Sequence, residues 1–213
     1  MDTSKQQKSS ALIEIERRLR RLVRAARDGD GVSASGSMPL SLDEVFEAIR
    51  DELRDVGLLC DETLVLIARG GNRIIYDAQG QIVGSSLFDR MDVAYAVFSS
   101  GQYSRAFAKE HRSLRASCDD MAQMFGPQVP CGKRPWGNHP AFLVEDEGFV
   151  VTGRYPSELI AAAVLVEKAC RTEMLAPTLG EPIYLNPLLC AAEHAAYLAS
   201  YSKPERKEHD NER

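Results

Sequence analysis

No run of eighteen apolar residues occurs in this chain, so the sequence offers no membrane-spanning helix. Cysteine is scarce and odd in number. Cys60, Cys118, Cys131, Cys170 and Cys190 are scattered without a C-x-x-C pair, which argues against a disulfide framework and against a thiolate zinc site. Basic charge is in deficit as well: 26 Lys and Arg against 31 Asp and Glu leave a net charge of -5. Neutralising a phosphate backbone needs a basic surface that this balance does not supply, so nucleic acid is not the expected main partner. Histidine is limited to four positions, His111, His139, His194 and His209. The opening residues Met1-Asp2-Thr3-Ser4-Lys5 lack the basic-then-apolar order of a secretory signal, and a soluble cytoplasmic protein is the expectation. What remains is a 213-residue chain with 44% hydrophobic residues, enough for one sizeable core in a single domain.

Leu12, Ile15, Leu19, Leu22 and Ala26 recur at spacings of three and four, predicting an amphipathic helix over 9–27 with Arg17, Arg18, Arg20, Arg21, Arg24 and Arg27 on its other face. Two readings stand side by side: a solvated basic face on a helix packed against its own domain, or a helix that binds a partner or an anion. Residues 28–37 are Gly- and Ser-rich and read as a flexible loop, which places the N-terminal helix and loop in 1–40, the main domain in 41–202 and a disordered charged tail in 203–213. In the main domain Ser41 and Glu44 form a capping-box pattern, with Val45, Phe46, Ile49, Leu53 and Val56 as the buried face and Gly57 as the stop. Residues 64–68 and 73–76 flank Gly70-Gly71-Asn72 and read as a hairpin, and 77–83 is expected to repeat the pattern. A strand over 92–98, a short helix over 102–109, a helix from Asp119, a hairpin around Glu145-Asp146-Glu147-Gly148, a long helix from Pro156 and a last helix over 186–201 complete the pattern. Hairpins with interspersed helices give an α/β (α+β) domain with a mainly antiparallel sheet.

Two blocks are the most distinctive: Asp119-Asp120-Met121-Ala122-Gln123-Met124-Phe125-Gly126, and Glu147-Gly148-Phe149-Val150-Val151-Thr152-Gly153-Arg154. Together they resemble the second half of the class II aldolase/adducin domain, with the likeness strongest over 90–175. The resemblance implies an α/β/α domain and, in most members, a metal-dependent sugar-phosphate aldolase, epimerase or decarboxylase. Family members carry a strand ending in His-Thr-His-Ser shortly before a Tyr, and a third imidazole in an Asn-His-Gly turn. Here the strand reads Ala96-Val97-Phe98-Ser99-Ser100-Gly101-Gln102-Tyr103 and the turn reads Asp146-Glu147-Gly148. Phe98, Ser100 and Glu147 thus stand where the three imidazoles would be. The 84–95 segment is also short, and Asp89 and Asp92 in it read as solvated acids rather than as the family's further carboxylate. A phenyl ring offers no donor and a serine hydroxyl is a poor ligand, so no metal and no other cofactor is expected.

Three residues are candidates for acid/base work by position: Glu147, His139 close to it along the chain, and Tyr103 at the family's tyrosine. Phe98, Ser100, Lys133 and Arg134 are candidates for contact with a ligand, the two basic residues for holding an anion. Cys118 and Cys131 carry no sequence mark of a nucleophile. The favoured reading is a degenerate, metal-free pseudoenzyme that binds a protein partner, such as a metal-containing paralogue, or a small anionic ligand. Its competitor is a metal-independent lyase, decarboxylase or isomerase acting on a small carboxylated or phosphorylated carbonyl compound through Glu147 and His139. A third reading makes the Arg-rich helix a recruiting module with the domain as its platform. The family's fourfold assemblies, and the apolar content of 186–201, imply a homo-oligomer, with a tetramer as the expectation.

Overall fold

The structure, a computed structural model, describes residues 40–137 and 139–201. The expected Arg-rich helix, the Gly/Ser loop and the charged tail lie outside the described residues. The first helix, α1 (Leu42–Asp55), forms as its capping box predicts: the Glu44 amide donates to Ser41 Oγ at 3.2 Å and the Ser41 amide to Glu44 Oε2 at 2.7 Å. Its buried face is Val45, Phe46, Ile49 and Leu53. Gly57, at φ 74°, follows the C-cap, where a left-handed residue ends a helix without steric cost.

Strands β1 (Leu64–Arg69) and β2 (Asn72–Asp77) pair antiparallel across Gly70-Gly71, both with positive φ, as a two-residue hairpin turn requires. The expected continuation over 77–83 is different. Asp77 Oδ1 accepts from the amides of Gln79 and Gln81 at 3.0 and 2.8 Å, curling the chain into a turn that leaves only a single bridge between Tyr76 and Ile82. A 3-10 turn at Ser86–Phe88 leads to β3 (Tyr95–Ser99), three residues later in starting than the pattern suggested. Then come α2 (Gln102–Ala108), β4 (Leu114–Arg115), α3 (Asp119–Phe125), β5 (Gln128–Val129) and β6 (Cys131–Gly132). The chain ends with β7 (Ala141–Val144), β8 (Gly148–Gly153), α4 (Pro156–Leu175) and α5 (Pro187–Tyr201). Six strands form one sheet in the order β2-β1-β3-β8-β7-β6, antiparallel throughout except for the parallel β6–β7 pair, while β4 and β5 pair separately.

Alternation along the strands divides the core between the two faces of the sheet. Val65, Ile67, Val97, Phe149 and Val151 share one cluster with residues of α1, α3 and α4. Leu66, Ala96, Phe98, Phe142, Val144 and Val150 share the other with Phe88 and Met91. Arg73 fastens that second layer by donating to the carbonyls of Met91 (2.9 Å) and Phe88 (2.5 Å).

The long helix α4 opens with Pro156 in its first turn and sends three carboxylates to its neighbours. Glu158 receives the backbone and side chain of Arg154, and the Tyr197 hydroxyl of α5 at 3.2 Å. Burial raises its pKa, but the bonds from Arg154 outweigh burial and hold it below the ordinary carboxylate value. Glu167 accepts the amides of Tyr103 (2.8 Å) and Ser104 (3.0 Å), satisfying the open N-terminus of α2. Glu173, only 4% exposed, takes Arg112 at 2.9 Å and the Tyr184 hydroxyl.

Gly148 opens β8 where the chain passes closest to the end of β3. A Cβ there would overlap the Ser99 carbonyl oxygen and crowd Ser100 Cα. Both neighbours are backbone atoms, so neither can swing aside. Gly148→Ala is expected to destabilise the fold on the order of 3 kcal/mol, read as a lower urea midpoint with an unchanged slope; an unaltered midpoint would mean that these strands do not meet as described.

Candidate functional site

The end of β3 and the β7–β8 turn form one corner of the sheet. Ser99 is fully buried and its Oγ donates to the Leu58 carbonyl, which anchors the strand end to the loop after α1. Ser100, half-buried, donates its hydroxyl to the Glu147 carbonyl at 2.9 Å. Glu147 is exposed at the turn, with its amide on the Val144 carbonyl at 3.1 Å. The parallel β6–β7 pair brings Gly132 beside Val144, and the Glu145 amide reaches the Gly132 carbonyl at 3.0 Å. Lys133 and Arg134, both exposed, follow Gly132 directly and so leave the sheet at this same corner.

Phe98 is a core residue. It pairs with Val150 on β8 and Leu64 on β1, is 6% exposed, and lies in the apolar cluster with Phe88, Met91, Phe142 and Val144. Tyr103, in the first turn of α2, packs against the main core, and the Arg171 guanidinium sits 5.4 Å from its ring centroid.

His139 is not brought to this corner. The β7–β8 ladder continues beyond Ala141, with the Thr152 amide on the Pro140 carbonyl at 2.9 Å and the Thr152 hydroxyl on the His139 carbonyl at 3.4 Å. His139 therefore lies at the open end of the hairpin and Glu147 at its turn. The extended run from His139 to Val144 spans roughly 17 Å at about 3.4 Å per residue. This register separates His139 from Glu147 although the two are close along the chain: nearness along a hairpin is greatest across the strands, not along one of them. The His139 ring meets the edge of Trp136 with centroids 4.5 Å apart, and burial lowers its pKa.

No motif in the sequence singles out His111. The structure places it at the corner, with Nε2 3.0 Å from Asp146 Oδ1 in the residue before Glu147. His111 and Asp146 both have positive φ, 51° and 65°, and are the non-glycine residues among those described that do. A histidine just beyond a short helix gives no sequence sign of pairing with a turn 35 positions later, so only the fold could reveal the contact. The hydrogen bond to Asp146 raises the His111 pKa against the opposing cost of desolvation, with Glu145 adding to the rise and Lys133 reducing it.

The family suggested by the sequence would place a metal ion at this corner. The residues do not fit one. Phe98 contributes carbon only, the Ser100 hydroxyl is turned to a backbone carbonyl, and Glu147 is left as one exposed carboxylate. Among the described residues no three of His, Cys, Asp or Glu converge to hold an ion. Neither cysteine near the distinctive blocks joins the corner as a nucleophile: Cys118 is exposed at the N-cap of α3, and burial pushes the Cys131 thiol up.

No family model matches the chain, and no curated protein matches it. Solved structures do. An L-fuculose 1-phosphate aldolase aligns with a TM-score of 0.56 at 14% identity, covering 75% of this chain and 98% of the other. The chain has the class II aldolase fold. An L-fuculose 1-phosphate aldolase from Glaciozyma antarctica PI12 aligns with a TM-score of 0.54 at 14% identity over 75% of this chain and 85% of its own. YgbL from Klebsiella pneumoniae, a putative aldolase/epimerase/decarboxylase, aligns with a TM-score of 0.52 at 20% identity over 73% and 97%. At these identities the likeness establishes the class II aldolase fold and leaves the chemistry to be argued from the side chains.

With Phe98 a core residue, its truncation is expected to act on stability. Phe98→Ala should cost about 3–5 kcal/mol, as for other buried aromatic deletions, whereas Ser100→Ala should cost about 1 kcal/mol or less. Chemical denaturation of both variants checks the contrast; equal effects would remove Phe98 from the core.

Proposed function

We propose that this chain is a degenerate class II aldolase-fold protein without a resident metal ion, a pseudoenzyme that binds a small anionic ligand or a protein partner at the corner formed by Ser100, Glu147, Lys133 and Arg134. The observation that carries the reading is the position of Phe98. A side chain that stands at a ligand position of the resembled family is packed between strands, where it stabilises the fold and can coordinate nothing. The exposed Lys133 and Arg134 give the corner two cations suited to a phosphate or carboxylate, and this favours an anionic ligand. A metal-containing paralogue remains the protein partner that the resemblance suggests.

The competing reading, a metal-independent lyase, decarboxylase or isomerase working through Glu147 and His139, needs both groups within hydrogen-bond reach of one small substrate, and they lie at opposite ends of a hairpin. That requirement counts against it within one chain. Tyr103 packs on α4 beside Arg171, whereas Glu147 stands at the β7–β8 turn.

Protein purified without chelator is expected to contain no stoichiometric zinc, iron, manganese or cobalt by elemental analysis. One equivalent of such a metal, lost in Glu147→Gln, would overturn the reading.

Self-association belongs to the same proposal. Leu179, Ile183, Leu188 and Leu189 are 92%, 89%, 82% and 53% exposed along the segment from α4 to α5, more apolar surface than a solvated connection needs. Light scattering is expected to give a homo-oligomer, with the tetramer as the specific expectation. A monomer at tens of micromolar concentration would refute it. No helix among the described residues is long and apolar enough to cross a membrane.

A further inference from the structure

Two left-handed residues that are not glycine meet at the candidate corner, and they meet on one carbonyl group. The amide of His111 donates to the Ala108 carbonyl at 3.3 Å, and the amide of Asp146 donates to the same carbonyl at 3.4 Å. His111 Nε2 then closes the ring of contacts on Asp146 Oδ1 at 3.0 Å. The end of α2 is therefore joined to the β7–β8 turn by one backbone bond, from the Asp146 amide, and one side-chain bond, from His111, whose own amide folds back onto the same carbonyl. The following turn residue, Glu147, is the one whose carbonyl receives Ser100. A left-handed backbone is unfavourable for residues with a Cβ, and it persists where surrounding contacts over-determine it.

We propose that His111 is a positioning residue for the Glu147 turn: its imidazolium clasps Asp146 and holds the turn against the end of α2, and loss of the proton loosens it. The inference rests on reading the Ser100 and Glu147 corner as the ligand-facing site, and it adds a regulator to that site. The groups facing His111 are Asp146 and Glu145 on the turn and Lys133 beyond β6, with Glu110 and Arg112 flanking it in sequence. The Glu110 carboxylate is drawn to Arg112, and Arg112 also reaches Glu173. The turn thus presents two carboxylates to the ring against one opposing lysine, an arrangement that favours the charged imidazole.

The sign follows from the contacts. A histidine whose pKa is raised in the folded state contributes its stabilisation fully below its unfolded value, about 6.5, and loses it as pH rises through the folded value. A neutral ring protonated at Nε2 can still donate to Asp146, so deprotonation removes the charge assistance and not the whole bond. Both side chains are half-exposed or more, which keeps the effect small. Opening of the turn should increase about two- to five-fold across the transition.

The test needs no ligand and no metal. Amide hydrogen exchange at Asp146 and Glu147, corrected for the intrinsic pH dependence of exchange, is followed between pH 5 and 8.5 in the full chain. Wild-type protein should lose protection at these two amides as pH rises, with a midpoint matching the His111 titration measured by NMR. His111→Asn, which tolerates positive φ and cannot titrate, should show weak and pH-independent protection. His111→Arg should hold the turn at every pH, while His139→Gln should leave the wild-type profile unchanged. Protection that does not vary with pH in wild type, or that varies equally in His111→Asn, would overturn the clasp. A metal bound at the corner would overturn the proposed function and leave this measurement intact, so the two failures are distinguishable.

Discussion

The backbone-to-backbone approach of Gly148 and Ser99 is the constraint around which the candidate corner is built. It holds β8 against the end of β3 at a separation that admits no side chain. Ser100 can then reach the Glu147 carbonyl, and the turn that carries Glu147 is fixed beside the strand end before any side-chain chemistry is considered. The same pairing register sets Phe98 opposite Val150 and so commits its ring to the apolar face of the sheet. Corner and core are therefore two consequences of one strand alignment.

Helix α4 supports this arrangement from the other face by distributing carboxylates rather than apolar surface alone. Glu158 engages Arg154 and α5, Glu167 closes the N-terminus of α2, and Glu173 engages Arg112 and Tyr184. Buried or half-buried carboxylates are costly unless their lone pairs are met, and all three are met by groups on different segments. Each works as a directional strut where a leucine would give only area. Through Glu167, α4 fixes where α2 begins, and α2 ends at the carbonyl that receives both His111 and Asp146.

Local rules read the framework well. Ser41 and Glu44, Gly70-Gly71, Pro156 and the alternating apolar strands all predicted elements that formed, because each encodes geometry within a few residues. The sheet's mainly antiparallel character was legible in the same way, whereas the class II aldolase fold was legible only through the resemblance of the 119–126 and 147–154 blocks to that family. The short strands β4, β5 and β6 were not, since two residues carry no periodicity to detect. At 77–83 the Asp77 side chain captured the backbone amides that a continuing strand would have paired. The corner was only half legible. Ser100, Glu147 and Lys133 were recognised as candidates from position in the chain, but the separation of His139 and the arrival of His111 depend on strand register and on a distant turn.

Phe98 also bears on how reversible such a site is. Changing it alone to histidine would place a polar ring among Phe142, Val150 and Met91, losing apolar packing while leaving ring nitrogens without partners. The new imidazole would gain nothing in return, because one donor beside a serine and a surface glutamate makes no chelate. The step at Phe98 is thus uphill when taken alone, and a donor set at this corner would need replacement of Phe98, Ser100 and Glu147 together, with repacking of the face behind Phe98. The phenyl ring couples the packing of one sheet face to the donor chemistry of the corner, so a single substitution cannot change the second without a cost in the first.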